Sequence, residues 1–259
     1  MHKINIDNDL IRTDLLYEQK SNKKDFVESY YRGLKVVTQK DNNYDYSTIF
    51  FDDITDYESF NNVEDVFIKE LKKYLKINKE DVIVIIGLGN SKSTPDSLGP
   101  NTIDKLLPTR YLFELGDVED GFTNVSIYKP DVIGNTGIES KTIIKSIIKE
   151  INPTKVIIID SLKASNKERL TKTIQITNSG INPGSGMNNS RGEISKKTVN
   201  SEVIAIGIPT VVDMSSNNEE KFIVTPTNID FIVEKLSLLI ANSLNKSLHK
   251  NYNRQINSN

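Results

Sequence analysis

The chain of 259 residues contains no cysteine and only two histidines, His2 and His249. Without cysteine it has no thiol nucleophile, no thiolate ligand for zinc and no disulfide. Both histidines stand near the chain ends, in stretches expected to be weakly ordered, so a Ser-His-Asp triad or an HExxH zinc site lacks an imidazole. If the protein is a hydrolase, carboxylates must do the acid–base chemistry, or hard oxygen ligands must hold a metal.

Long apolar runs and a strong net charge are absent as well. No segment approaches the ~20 consecutive apolar residues that span a bilayer, and the N-terminus lacks the basic-then-apolar layout of a signal peptide. The formal charge is only −2 at pH 7, so no long-range field favours nucleic acid or a membrane surface. These features are compatible with a cytoplasmic protein that binds neither nucleic acid nor membrane.

Alternating strand and helix patterns from residue 82 onward predict the fold class. The apolar, largely β-branched runs at 82–87 and 155–160 are typical of fully buried strands. The other expected elements are strands at 34–39, 48–51, 125–128, 173–177, 203–206 and 222–224, and helices at 60–77, from 99, at 138–151 and at 227–244. This alternation indicates an α/β protein whose mostly parallel, doubly wound sheet carries helices on both faces, with a small N-terminal elaboration.

Two aspartates stand where such a sheet is expected to do chemistry. Asp96 lies in the loop that follows the strand 82–87, and Asp160 ends the strand 155–160. Active sites of open α/β sheets lie in the crevice at the carboxyl ends of parallel strands, so both carboxyls are expected in one cleft. Of two close carboxyls, the ionised one can deprotonate a water while the protonated one polarises a carbonyl.

Ordinary structural roles account for the same residues when each is considered alone. Asp96 follows Thr-Pro and fits a turn or helix cap, and Asp160 fits an Asx turn. Gly87 and Gly89 resemble the start of a dinucleotide fingerprint, but a lysine stands at the third glycine position, so a tight turn is favoured. The glycine-rich stretch 181–187 fits a substrate-facing loop and an ordinary surface loop equally well.

Several segments, in order along the chain, carry a resemblance to one protease family. They are IRTDLLYE (11–18), GLGNSKSTPDSLGP (87–100), NTGIES (135–140), IIIDSLKAS (157–165), ERLTKTIQITNSGINPGSG (168–186) and VIAIGIPTVVD (203–213). Together they resemble the germination protease of endospore-forming bacteria, an endopeptidase family that degrades small acid-soluble spore proteins. No single segment is specific, but the set covers most of the chain.

The resemblance implies an atypical aspartic endopeptidase without a cofactor or metal, on an α/β fold shared with hydrogenase-maturation proteases. The two catalytic aspartates of the family fall on Asp96 and Asp160, the residues that the strand ends select. The resemblance also implies a homotetramer in the cytoplasm of the forespore or spore core. Its substrates would be small acid-soluble spore proteins.

A self-processing zymogen is implied in the same way. The residues that resemble the processing site are RTDL, with the cut expected between Asp14 and Leu15. The expected organisation is therefore a propeptide at 1–14, one α/β peptidase domain at 15–250 and a disordered tail at 251–259.

The chain departs from the family pattern in two places. SLKAS (161–165) stands where the family typically reads Ala-Leu-Ala-Ser-Arg, and Leu16 replaces an alanine after the cut. The first departure adds a cation, Lys163, shortly after Asp160 and leaves open a non-enzymatic spore protein that uses the cleft for binding. A metal-assisted maturation protease is a third alternative. It is disfavoured because no histidine is expected in the core to bind the metal.

Overall fold

The computed structural model describes residues 26–41, 43–164, 166–181, 194–214, 222–250 and 252. Three expectations fall outside these residues: the propeptide at 1–14 with its cleavage bond between Asp14 and Leu15, most of the tail at 251–259, and most of the stretch 181–187.

The described part of the chain is built around a nine-stranded sheet. Its strands are β1 Phe26–Tyr31, β2 Leu34–Asp41, β3 Tyr44–Phe50, β4 Val82–Gly87, β5 Asn124–Tyr128, β6 Lys155–Ala164, β7 Thr173–Thr177, β8 Glu202–Asp213 and β9 Ile223–Val224. They lie in the order β1-β2-β3-β7-β8-β6-β4-β5, and β9 pairs with the end of β8. Strand β6, which carries Asp160, therefore lies between β4 and β8.

The sheet is mixed, so the expectation of a mostly parallel sheet is wrong in part. Strands β5, β4, β6 and β8 pair in parallel, whereas β1, β2, β3, β7 and β9 join through antiparallel pairings. A parallel connection needs a crossover of a dozen or more residues, usually a helix. Only residues 165–172 connect β6 to β7, so β7 runs antiparallel to β8.

Seven α-helices accompany the sheet in the described residues: α1 Tyr57–Leu75, α2 Leu98–Ile103, α3 Arg110–Leu115, α4 Ile133–Thr136, α5 Ser140–Ile151, α6 Lys196–Val199 and α7 Ile229–Leu248. Helix α1 begins where the Asp56 side chain accepts a hydrogen bond from the Ser59 amide (3.0 Å), an N-cap that satisfies one of the free N–H groups. Helix α5 ends at Asn152, in the left-handed conformation before Pro153. None of the described helices is long and apolar enough to cross a membrane.

Helices cover both faces of the sheet, which confirms the α/β class. In β4, Ile83 and Ile85 face the core formed with α1, α2 and α7, while Val84 and Ile86 face the core formed with α5. A strand buried on both faces needs an uninterrupted apolar run. VIVIIG supplies it, which is why the bounds of β4 were predictable.

The N-terminal elaboration is a three-stranded antiparallel meander, β1-β2-β3, which joins the sheet where β3 pairs with β7. Strand β1 was not predicted. Its residues are largely exposed, with Val27 at 63% and Tyr30 at 69%. Because neither face is buried, β1 carries none of the period-two alternation that marks a half-buried strand.

The expectation that His249 lies in a weakly ordered stretch is wrong. Its side chain is buried just after α7, and its Nδ1 accepts a hydrogen bond from the Thr123 amide at 3.4 Å. The buried side chain and its hydrogen bond to Thr123 help to hold the end of α7 against the segment before β5. Thr123 directly precedes β5, so the histidine lies at the amino ends of the parallel strands, away from Asp96 and Asp160.

Candidate active site

Asp160 lies at the point where β6 outgrows its neighbour β4. The pairing of β4 with β6 ends at Gly87 and Ile159, so Asp160 is the first residue of β6 beyond β4. Strand β6 nevertheless continues to Ala164, because its pairing with β8 goes on, with Asp160 opposite Gly207. The sequence predicted that Asp160 ends its strand, but the residue lies inside β6. It remains at the carboxyl end of β4.

The Asp160 side chain is almost fully buried, with 3% exposed surface. Its Oδ1 accepts a hydrogen bond from the amide of Ser161 at 2.9 Å. Burial of a carboxyl group is costly unless it has partners of this kind, and such burial is common where a carboxyl has a chemical role. Lys163, the cation that departs from the family pattern, is half-buried three residues further along β6.

Asp96 is the last residue of a short 3-10 turn, Thr94–Asp96, that follows β4. The turn folds back on the end of β4, since the Asn90 amide donates to the Asp96 carbonyl oxygen at 2.9 Å. The N-cap of α2 is Ser97, so Asp96 is not the helix cap that its sequence context suggested. Its side chain is half-buried.

Two glycines hold α2 directly against the end of β4. A Cβ added to Gly87 would lie 2.4 Å from the Gly99 carbonyl oxygen, and one added to Gly99 would lie 2.2 Å from the Leu88 carbonyl oxygen. Real Cβ atoms do not approach this closely, so the backbones touch only because both residues are glycine. The loop 88–97, which carries Asp96, is therefore held tightly between β4 and α2.

The 3-10 turn also contacts the two strands beyond β4. It packs against β6 and β8, the Leu88 amide donates to the Ile159 carbonyl oxygen at 2.8 Å, and the Thr210 hydroxyl donates to the Pro95 carbonyl oxygen at 2.6 Å. The turn that carries Asp96 thus lies beside the segment of β6 that carries Asp160. Both aspartates occupy the carboxyl-end crevice where α/β proteins bind their ligands.

A hydrogen-bonded bridge connects the loops after β4 and β5 at the same edge. The side-chain amide of Asn135 donates to Asn90 Oδ1 (3.2 Å) and to Asp131 Oδ1 (2.9 Å). Asp131 has a positive φ of 59° and its carboxyl also accepts from the Val132 amide. No sequence motif predicted a role for Asn90 or Asp131, although both stand in loops that follow predicted parallel strands.

Thr210 is a further residue that the sequence analysis missed. It stands in VIAIGIPTVVD, which predicted only a strand, and nothing in the local pattern distinguishes it from its neighbours. Among the described residues, no group of three or more His, Cys, Asp and Glu side chains is arranged to hold a metal ion.

Comparison with known proteins decides the family. Residues 18–221 match the sequence model of the germination protease family, a span that includes both Asp96 and Asp160. The chain belongs to the germination protease family. The germination protease of Geobacillus sp. is 44% identical over 215 residues, which cover 80% of this chain and 55% of that relative. The germination protease of Priestia megaterium is 48% identical over 184 residues, 69% of this chain and 48% of that relative.

The chain spans about half the length of these curated germination proteases. Among solved structures, the [NiFe] hydrogenase maturation protease HycI from Thermococcus kodakarensis aligns with a TM-score of 0.40 and 19% sequence identity, covering 68% of this chain and 98% of that one.

Proposed function

We propose that the chain is an endopeptidase that initiates the degradation of small acid-soluble spore proteins during spore germination, with Asp96 and Asp160 as its catalytic pair. Membership of the germination protease family supports the reaction class. The observation that carries the assignment is the placement of both aspartates at the carboxyl end of β4, Asp96 in the turn that follows β4 and Asp160 in the adjacent parallel strand β6. They come from separate family motifs and share one crevice.

The reaction follows from two carboxyl groups that share one proton. The ionised carboxyl removes a proton from a water, whose oxygen attacks the carbon of the scissile peptide bond. The protonated carboxyl donates a hydrogen bond to the carbonyl oxygen and stabilises its developing negative charge. Collapse of the tetrahedral intermediate breaks the C–N bond, and the amine leaves with the proton first taken from water. The shared proton belongs to the pair rather than to either residue.

The proposed substrates are small spore proteins that are unfolded when they are not bound to DNA. An extended chain can enter an open crevice at a sheet edge, and the protein itself needs no contact with nucleic acid. We place the reaction in the cytoplasm of the forespore or spore core, with the enzyme as a homotetramer. These points rest on the family resemblance.

Maturation by self-cleavage belongs to the same proposal. The propeptide would be residues 1–14, and the cut between Asp14 and Leu15 would produce the active form. A docked propeptide would hinder access to the crevice, so the intact chain should be slow or inactive. The Asp-Leu bond pairs an acidic with an apolar residue, as in the family's substrate sites.

Replacement of either aspartate tests the catalytic pair. Asp96→Asn and Asp160→Asn keep the side-chain size but remove the acid–base group, so cleavage of a purified spore protein should fall by at least about 100-fold. Asp117→Asn is the matched control, because Asp117 is exposed and follows α3, outside the segments that carry Asp96 and Asp160. Mass spectrometry of the products measures the cleavage rate over a pH series. The rate of the original chain should show a bell-shaped dependence on pH. Near-full activity of either site variant would refute the assignment.

The same cleavage assay, run with and without a strong chelator, separates the two other candidate functions. A non-enzymatic spore protein would bind the substrate without cleaving it, and the Lys163 cation in β6 is the feature that favours this alternative. A metal-assisted protease would lose its activity in the presence of strong chelators, whereas the carboxylate mechanism is unaffected by them.

A further inference from the structure

Strand β8 carries one extra residue beside the candidate site. Pro209 lies opposite Leu162 of β6. The next residue of β6, Lys163, lies opposite Val211, so Thr210 is left without a partner on β6 and forms a β-bulge. Proline has no N–H for a neighbouring strand and is found within sheets at edges and bulges. A bulge redirects a side chain, and bulges are frequent next to active sites.

The redirected side chain of Thr210 reaches the turn that carries Asp96. Thr210 is fully buried, and its hydroxyl donates a hydrogen bond of 2.6 Å to the carbonyl oxygen of Pro95. Its own carbonyl oxygen accepts a hydrogen bond of 2.8 Å from the hydroxyl of Thr225. Thr210 therefore ties β8 both to the Asp96 turn and to the segment that leads into α7.

This link is distinct from the hydrogen bonds that shape the turn itself. The Asp96 amide donates to the Ser93 carbonyl oxygen and the Asn90 amide donates to the Asp96 carbonyl oxygen. Both bonds stay inside the loop 88–97, so they define the form of the turn without attaching it to β8. The bond from Thr210 supplies such an attachment.

The attachment matters because β8 also fixes the position of the other aspartate. Asp160 lies opposite Gly207, in the same strand as Thr210. Gly207 is itself confined, since an added Cβ would lie 2.5 Å from the Leu162 side chain. One strand thus holds Asp160 by its register and Asp96 through Pro95.

We propose that Thr210 is a positioning residue that sets the placement of the Asp96 carboxyl relative to that of Asp160. The inference rests on the proposed function, since it concerns the catalytic pair of that reaction. Without the hydroxyl both carboxyls remain, but the turn loses this hydrogen bond to β8 and can shift slightly from its present position. A displacement of about 1 Å in a catalytic group costs up to about 100-fold in rate. The loss should appear in kcat rather than in KM, because Thr210 is buried and does not touch the substrate.

Three variants of the full chain test this role after incubation at mildly acidic pH with a purified small acid-soluble spore protein. Thr210→Val removes the hydroxyl and keeps the β-branched shape, and we expect kcat to fall about 10- to 100-fold with KM nearly unchanged. Thr210→Ser keeps the donor and should stay within about threefold of the original kcat. The control is Thr109→Val, which removes an equally buried threonine hydroxyl near the start of β5. This hydroxyl donates to the Thr123 carbonyl oxygen and also accepts from the Val125 amide, so its loss is at least as disruptive to the local structure.

The pH profile distinguishes positioning from a general loss of stability. Two carboxyls that interact less strongly titrate closer together, so the bell-shaped profile of Thr210→Val should be narrower than that of the original chain. Thr109→Val should lower the melting temperature at least as much, because it breaks two hydrogen bonds, and should keep both the profile and kcat. If the original chain cleaves the spore protein and Asp96→Asn does not, but Thr210→Val matches Thr109→Val in kcat and profile, the positioning role is wrong. If the original chain cleaves nothing, the proposed function itself fails.

Discussion

Gly89 controls how closely the Asp96 turn approaches the end of β4. Its φ is +123°, a backbone conformation that residues with a side chain rarely adopt. A Cβ at this position would lie 1.9 Å from the Asp96 carbonyl oxygen and 3.3 Å from its Oδ1. The turn cannot keep its place beside any other residue, so this glycine bears directly on the Asp96 carboxyl.

Substitution of Gly89 by alanine should therefore lower activity more than the same substitution at a left-handed glycine that has open space around it. The control is Gly116→Ala, since Gly116 has a φ of +71° but open space where the Cβ would lie. Gly116→Ala costs roughly 1–2 kcal/mol of backbone strain in the left-handed region, whereas Gly89→Ala is strained as well and must also move Asp96. We expect kcat to fall at least about 10-fold more for Gly89→Ala than for Gly116→Ala, which is the loss of rate that a small displacement of a catalytic group causes. Peptide cleavage and urea unfolding of both variants measure this, and equal kcat values would contradict it.

At the scale of elements, helices α1 and α7 are joined by a largely buried ion pair on one face of the sheet. Lys246 Nζ lies 2.6 Å from Glu64 Oε2, and the Glu64 side chain is only 5% exposed. Its other oxygen, Oε1, has no hydrogen-bond partner among the described residues. Glu64 thus depends on Lys246 to compensate the cost of burying its charge.

Lys246→Met should destabilise the packing of α1 against α7. The change keeps the aliphatic stem and leaves Glu64 buried without its cation, which we expect to cost roughly 2–3 kcal/mol, less than for a fully buried pair because Lys246 is partly exposed. Lys105→Met is the control, since the Lys105–Glu234 pair also reaches α7 but is more exposed on its acidic side. Its loss should cost at most about 1 kcal/mol. Urea unfolding curves give both values, and equal losses would show that burial of Glu64 is not decisive.

At the scale of the whole molecule, the end of α7 is fastened to the segment that precedes β5. The Thr123 hydroxyl donates to the Leu248 carbonyl oxygen at 2.6 Å, and the Lys250 amide donates to the Gly121 carbonyl oxygen at 2.8 Å. His249 lies between them, with its ring centroid 5.4 Å from that of Phe122. Burial lowers the pKa of His249 to about 4, although a backbone contact with Leu107 opposes the shift.

This shift makes stability depend on pH. Above pH 6.5 the histidine is neutral in both the folded and the unfolded chain. Between about pH 6.5 and pH 4 the unfolded chain binds a proton that the folded chain does not, so the free energy of unfolding falls as the pH falls. The full contribution is on the order of 3 kcal/mol. His249→Gln does not titrate, so its unfolding free energy should vary less over this range. Urea unfolding at several pH values compares the two chains, and identical slopes would contradict the assignment.

Much of the architecture follows from local patterns. The run VIVIIG predicted β4 with its observed bounds, because a strand buried on both faces must be apolar throughout. TIQIT did the same for β7, and Pro153 indicated where α5 ends. The position of Asp96 and Asp160 beside the carboxyl ends of parallel strands was also predictable, since each follows a recognisable apolar run.

Other features were decided only when distant parts of the chain came together. The direction of β7 and the continuation of β6 past Asp160 depend on pairing with β8. Alternation helps to set register where one face of a strand is buried, but the uninterrupted apolar run of β6 lacks that alternation and does not identify a partner strand. The bond from Thr210 to Pro95 joins residues 115 positions apart, and the burial of His249 arises from packing against Thr123. The sequence by itself therefore determined most of the longer helices and strands, the family motifs and the two expected site aspartates, whereas β1 and the short helices α3, α4 and α6 were not predicted. The tertiary structure decided strand direction, register and the contacts that hold those aspartates, because these depend on which distant segments meet.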